Sequence, residues 1–201
     1  EATSNHRYDT GDYMRTDPAL GTDEDFRSLA KAAGKRGVRL ILDGVFSHTG
    51  ADSVYFNKFG RYGENSGAYR DPQSPYRDWY SFINYPHEYE SWWGVVTLPH
   101  LNHNNPACRR YFTGEDGIAA RWCRFGVDGW RLDVADELSD RFLDELRVSV
   151  KEASKGEAII IGEVWENAAI KESYGARRKY FAENELNSVM NYPIKETVLE
   201  C

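Results

Sequence analysis

The chain has 201 residues, a formal net charge of -7 and a pI near 5.3. That balance argues against partners presenting dense negative charge, such as a nucleic-acid backbone or an anionic membrane. Hydrophobic residues make up 41%, yet no apolar run approaches the roughly 18 to 20 residues of a membrane span. Cys108, Cys123 and Cys201 are an odd set without metal-ligand spacing, so they read as reduced thiols. This favours a cytoplasmic protein over a secreted one. A start at Glu1 and an end at Cys201, inside an incipient helix, are expected of an excerpt from a longer protein.

Residues 1–22 are polar and turn-rich, with Asp17-Pro18 and Gly21 as breakers, and they carry Tyr8 and Tyr13. Thr22 with Asp25 three residues later predicts a capping box, followed by a helix with Phe26, Leu29, Ala30 and Ala33 on one face and ended by Gly37. Val38 to Phe46 is a nearly continuous apolar run, as expected of a strand buried on both faces in a parallel sheet. From Thr49 to Asn104 the texture changes to repeated Gly and Pro with nearly half of the protein's aromatic residues. Disorder depletes aromatics, so this stretch is predicted to be an ordered, irregular insertion. Asn105 with Pro106 starts a helix expected to continue through Tyr111, Ile118, Trp122 and Phe125. A second strand lies in the stretch Gly126 to Glu137, and a helix runs from Glu137 with Leu138, Phe142, Leu143, Leu146 and Val150 on one face. Ala158 to Trp165 is the third strand, and Leu186 to Tyr192, beyond a polar basic segment, a weaker fourth. Strands alternating with helices imply an α/β protein with a parallel sheet.

Each of the three strong strands ends in reactive groups. Asp43 and His48 close the first, Arg131 and Asp133 the second, Glu163 and Trp165 the third. In a parallel α/β protein these ends share one face, where active sites form. Arg131 and Asp133, two apart, project to the same side of an extended chain. By itself that pair reads more readily as a structural ion pair than as an aimed nucleophile. Two carboxylates, an arginine, a histidine and many aromatic rings suit glycoside hydrolysis, in which one carboxylate attacks and another protonates the leaving oxygen. Sugar rings stack on aromatic faces. From the local sequence, Asp133 clamped by Arg131 is expected to stay ionised, and Glu163 beside Val164 and Trp165 to have its pKa raised.

The motifs LDGVFSH (Leu42 to His48), LPHLN (Leu98 to Asn102), GWRLDVADE (Gly129 to Glu137) and GEVW (Gly162 to Trp165), with the loop SNHRYDTGDY (Ser4 to Tyr13), resemble the α-amylase family. The wording resembles its neopullulanase, cyclomaltodextrinase and maltogenic amylase branch. The resemblance implies a (β/α)8 barrel, of which this chain would hold about strands 3 to 6. Residues 1–48 would supply the loop after strand 2, helix 2 and strand 3; residues 49–104 a B-domain-like insertion; residues 105–201 helix 3 to the start of helix 6. It implies Asp133 as nucleophile and Glu163 as general acid/base of a retaining glycosidase, with carboxyl groups about 5 to 5.5 Å apart. Arg131 would position the nucleophile, Asp43 support the site, His48 bond sugar hydroxyls and Tyr8 stack on the sugar ring. Trp165 and Glu137 complete the expected substrate contacts. The implied substrates are α-1,4 glucans, with α-1,6 links also within the branch: maltooligosaccharides, cyclodextrins or pullulan.

Several readings stay open at this level. Asp43 serves equally as a structural anchor, and Glu137 as a helix-start charge. Trp92 and Trp93 fit packing as well as sugar binding. No cofactor is required, no metal site is assigned, and calcium, if used, would fall on Asp52, Asn57 and Asp71. His100 and His103 read as ordinary polar residues. The family's third carboxylate, in a His-Asp motif, lies beyond Cys201, so the excerpt is expected to be inactive, and either to self-associate through open strand edges or to have been cut from a larger enzyme. A non-catalytic α-glucan-binding homologue is the alternative function. A metal-dependent barrel hydrolase is disfavoured because Arg131 would sit beside the cation.

Overall fold

The computed structural model describes residues 1–182 and 185–199. In chain order they form α1 (Asp23–Gly34), β1 (Ile41–Gly44), β2 (Phe82–Asn84), β3 (Glu88–Tyr89), α2 (Pro106–Thr113), α3 (Ile118–Arg124) and β4 (Gly129–Leu132). There follow α4 (Asp140–Ala153), β5 (Ile159–Gly162), β6 (Glu172–Ser173), β7 (Ala176–Arg177), β8 (Ser188–Val189) and α5 (Tyr192–Leu199). They fall into two compact units: the first is Glu1–Ala32 with Val45–Phe112, the second Ala33–Gly44 with Thr113–Cys201.

The first unit is organised by aromatic side chains. Tyr55 and Phe56, both almost fully buried, face opposite ring clusters. Tyr55 stacks on Trp79 at 5.8 Å and meets Tyr13, Tyr76 and Tyr111 at 5.3 to 5.6 Å. Phe56 packs edge-on against Tyr80 and Tyr89 at 4.8 and 4.7 Å and stacks on Phe82. Buried phenols need partners. The Tyr55 hydroxyl shares a 2.7 Å hydrogen bond with that of Tyr111, and the Tyr13 hydroxyl donates to the carbonyls of Val45 and His48 at 2.6 and 2.8 Å. The irregular backbone is braced by Asn57, at φ 54°, whose side-chain amide donates to Gly63 and Ser66 and accepts from Tyr62 N–H. Thus the aromatic-rich stretch is ordered, as its composition predicts.

The second unit carries a four-stranded parallel sheet in the order β1-β4-β5-β8. Ser139 caps α4 by accepting from Phe142 N–H at 3.2 Å, and Phe142, Leu143, Leu146 and Val150 are buried on its inner face. This face packs on α3, whose Ile118, Ala119 and Trp122 are buried. Gly162 is required by close approach: a Cβ there would stand 2.5 Å from Leu186 Cδ1 and 3.2 Å from Ala135 Cβ.

Four local expectations need correction. The Thr22–Asp25 capping box forms, but Leu29 is exposed and α1 buries only Ala33. The first strand is four residues long, Ile41–Gly44, shorter than the apolar run Val38 to Phe46. Asn105 does cap a helix, accepting from Ala107 and Cys108 N–H. That helix ends at Thr113, because Gly114 and Gly117 turn the chain before α3 begins. The polar segment after the third strand contains a β-hairpin that no hydrophobic alternation announced.

Cys108 and Cys123 are free, buried thiols; Cys201 lies outside the described residues. No helix among the described residues is long and apolar enough to cross a membrane.

Candidate active site

Parallel pairing sets the site by register. Asp43 on β1 is paired with Arg131 on β4, and Arg131 with Ile161 on β5. The ladder continues past the strand ends, with Asp133 N–H donating to Gly44 O at 3.1 Å and Glu163 N–H to Leu132 O at 2.9 Å. Two carboxylates from neighbouring strands are thereby held at one level. Arg131 lies between them and joins all three acids: its Nη1 donates to Asp43 Oδ1 at 2.7 Å and Asp133 Oδ1 at 2.8 Å, and its Nη2 lies 3.0 Å from Glu163 Oε2. A planar guanidinium suits this role because its donors fan out in one plane. Burial opposes the Arg131 charge, but the Asp43 hydrogen bond and the other carboxylates outweigh it and raise its pKa.

The side chains of Asp133 and Glu163 are equally enclosed, each 10% exposed. Their partners differ. Besides Arg131, Glu163 accepts hydrogen bonds from Val134 N–H at 2.9 Å, Trp165 Nε1 at 3.1 Å and the Tyr192 hydroxyl at 3.1 Å. Burial pushes the Asp133 pKa up to about 6, only partly countered by Arg131. Burial also acts on Glu163, but the four donors prevail and its pKa is lowered. This reverses the expectation that Asp133 is the readily ionised group and Glu163 the raised one. Of the two sequence neighbours, Trp165 meets the carboxyl as a hydrogen-bond donor and not as an apolar wall, alongside Arg131, Val134 and Tyr192.

One of those donors is maintained by strain. Val134 adopts φ 39° and ψ 59°, a left-handed conformation unfavourable to a β-branched residue. That turn aims its N–H at Glu163. It opens the short 3-10 turn Ala135–Glu137, which is pinned by Ala135 N–H to Glu163 O at 3.1 Å.

In the second unit the structure therefore brings together Asp43, Arg131, Asp133, Glu163 and Trp165, while Glu137, on the adjoining turn, accepts from the Tyr174 hydroxyl. In the first unit His48, buried, joins the Tyr8 carbonyl through Nε2 at 2.9 Å and Ser47 Oγ through Nδ1 at 2.7 Å. His48 thus meets the backbone of Tyr8, and the Tyr8 ring lies over His6 instead. His48 also faces Trp92, which stacks on Trp93 at 5.4 Å. Sequence reasoning missed Val134, Tyr192 and Met190, whose sulfur accepts from Arg131 Nε at 3.4 Å. Met190 and Tyr192 had a signal, since they end the weak fourth strand. Val134 had none, because its role lies in a backbone angle.

Asp52, Asn57 and Asp71 are engaged in local bonds to Arg61, Gly63 and Gln73. No group of three or more His, Cys, Asp or Glu suited to a metal ion occurs among the described residues. His103 is buried, which lowers its pKa to about 3 and keeps its ring neutral.

The catalytic-domain model of the α-amylase family matches residues 1–201. The chain belongs to the α-amylase family. Among sequence relatives, an amylopullulanase of Thermoanaerobacterium saccharolyticum is 36% identical over all of this chain and 16% of its own length. The intracellular maltogenic amylase of Bacillus subtilis is 34% identical over 99% of the chain and 31% of its own length. The solved cyclic α-maltosyl-(1→6)-maltose hydrolase of Arthrobacter globiformis superposes with a TM-score of 0.80 to 0.81 at 30 to 32% identity, over 99% of this chain and 42% of that one. The chain thus spans less than half the length of these α-amylase relatives. The family's catalytic domain is a (β/α)8 barrel, and the parallel sheet here is part of one.

Proposed function

We propose that the whole protein containing this chain is a retaining glycosidase of α-1,4 glucans, with α-1,6 links within its range, and that Asp133 and Glu163 carry the reaction. The observation supporting this reading is one guanidinium, Arg131, tying Asp43, Asp133 and Glu163 together at the ends of adjacent parallel strands. Asp133 attacks the anomeric carbon as the bond to the leaving oxygen breaks, and Glu163 gives that oxygen its proton. Water, deprotonated by Glu163, then releases the sugar from Asp133 with net retention. Asp43 anchors Arg131, His48 bonds sugar hydroxyls, and Tyr8 and Trp165 offer ring faces. In this reading residues 49–104 are the B domain, the sheet strands are barrel strands 3 to 6, and no cofactor is needed.

In the free site Asp133 is the weaker acid of the two, the reverse of what this chemistry needs. A glycosidic oxygen arriving at Glu163 is an acceptor, and it displaces the donors Trp165 Nε1 and Tyr192 OH. Losing donors raises the Glu163 pKa, so that Glu163 takes up the proton that the leaving oxygen needs. The test uses the full-length protein with a maltooligosaccharide. Asp133→Asn and Glu163→Gln are each expected to lower kcat by about a thousandfold or more with folding intact. The first-formed product, followed by NMR, should retain the α configuration. Near-normal turnover in either variant, or an inverted first product, would refute the assignment. The 201-residue chain alone is expected to show no ordinary turnover.

A further inference from the structure

The segment following Glu163 and Trp165 folds back as the hairpin β6–β7, with Ser173 paired to Ala176 across the two-residue loop Tyr174-Gly175. Both loop residues have positive φ, 53° and 77°. Tight hairpin turns demand this, and asparagine or glycine meets the demand with least strain. A tyrosine occupies the first position instead, and its side chain is not buried: Tyr174 is 81% exposed.

The hairpin is fastened to the turn that follows Asp133. Lys171 Nζ lies 3.0 Å from Asp136 Oδ2, Ser173 Oγ donates to Asp136 O at 3.3 Å, and Arg178 Nη1 donates to the same carbonyl at 2.9 Å. Arg178 Nε also lies 2.9 Å from Asp140 Oδ1. Its side chain is buried, so this root is firm while the tip is open. At the tip the Tyr174 hydroxyl donates to Glu137 Oε2. That bond fixes the ring's orientation while leaving its faces in solvent.

We propose that Tyr174, oriented by Glu137, is a stacking platform for a glucosyl unit on the leaving-group side of the scissile bond. The side follows from the chemistry, and the inference rests on the glycosidase reading above. Glu163 protonates the leaving oxygen, and the hairpin is carried by the loop that Glu163 and Trp165 begin. The turn bearing Glu137 is tied to the Glu163 carbonyl through Ala135 N–H. The sugar attached through the protonated oxygen is therefore the one this ring meets. A neutral sugar suits the platform, since its C–H faces pack on an aromatic ring and its hydroxyls can bond Glu137.

The test compares two substrates of the full-length enzyme, maltotetraose and α-maltosyl fluoride, the second of which has no sugar on the leaving side. Tyr174→Ala should lower kcat/KM for maltotetraose about tenfold, mainly through KM, and leave that for α-maltosyl fluoride within about twofold. Tyr174→Phe keeps the ring but not the bond to Glu137, and should lose about threefold on maltotetraose alone. Unfolding temperatures of both variants should match the parent's. An equal fall on both substrates would assign Tyr174 a structural role, and no fall on either would remove the platform; both overturn the proposal. If the parent cleaves neither substrate, the glycosidase reading itself fails.

Discussion

The two compact units solve opposite problems with buried polar groups. In the first, phenols, amides and a neutral histidine are enclosed, and most of their hydrogen bonds join groups that carry no charge: Tyr55 with Tyr111, Tyr13 with two carbonyls, Asn57 with Gly63 and Ser66. The charged partners, such as Asp12 for Tyr55 and Lys58 for Tyr89, each bond a single phenol. In the second, three carboxylates share one guanidinium, and burial raises the pKa of Asp133 to about 6. Neutral networks satisfied by geometry stabilise a fold. A cluster with more negative than positive charge, half removed from water, costs stability and is retained for chemistry. Ring packing thus gives the first unit its order, and strand register gives the second its cluster of charge.

The widest separation between the units should appear in turnover. Arg131→Met leaves Asp43, Asp133 and Glu163 without their shared cation and is expected to lower kcat by about a hundredfold or more, judged by what single preorganised donors contribute. A tenfold or smaller loss in steady-state assays would show that the arginine is only structural. Next in size is a stability effect in the first unit. Phe56→Ala removes a fully buried ring and should destabilise the protein by about 3 to 5 kcal/mol in denaturant unfolding, without a pH-dependent component. A loss under about 1 kcal/mol would mean that the ring cluster is not what orders residues 49–104.

The third prediction has the opposite sign. Asp133 holds its proton more tightly folded than unfolded, so its contribution to stability is greatest at low pH and is lost as pH rises from about 4 through 6. Asp133→Asn removes that loss. It should stabilise the protein by on the order of 1 to 2 kcal/mol at pH 7, with the gain vanishing near pH 4. A gain equal at both pH values, or a destabilisation at pH 7, would contradict the raised pKa. The smallest effect concerns the donors to Glu163. Tyr192→Phe deletes one of them, and the Glu163 pKa, followed by carboxyl NMR, should rise. An unchanged value would exclude the hydroxyl as a determinant of where the proton resides.

The sequence by itself determined the α/β alternation, the capping of α1 and α2, the buried face of α4 and the convergence of Asp43, Arg131, Asp133 and Glu163 on one edge. These follow from hydrophobic period, cap chemistry and the rule that parallel strands end on the same side, all local or topological. Strand lengths were overestimated, because an apolar run such as Val38 to Phe46 continues beyond the residues that pair with a neighbouring strand. Only the tertiary structure decided which carboxylate is the stronger acid. That depends on the donors around each group, and for Glu163 they come from Arg131 and Val134 before it and from Tyr192, 29 residues after it. The strained Val134 N–H and the Tyr174 tip are of the same kind: a positive φ at a bulky residue leaves no mark in the sequence and exists only because the surrounding fold enforces it.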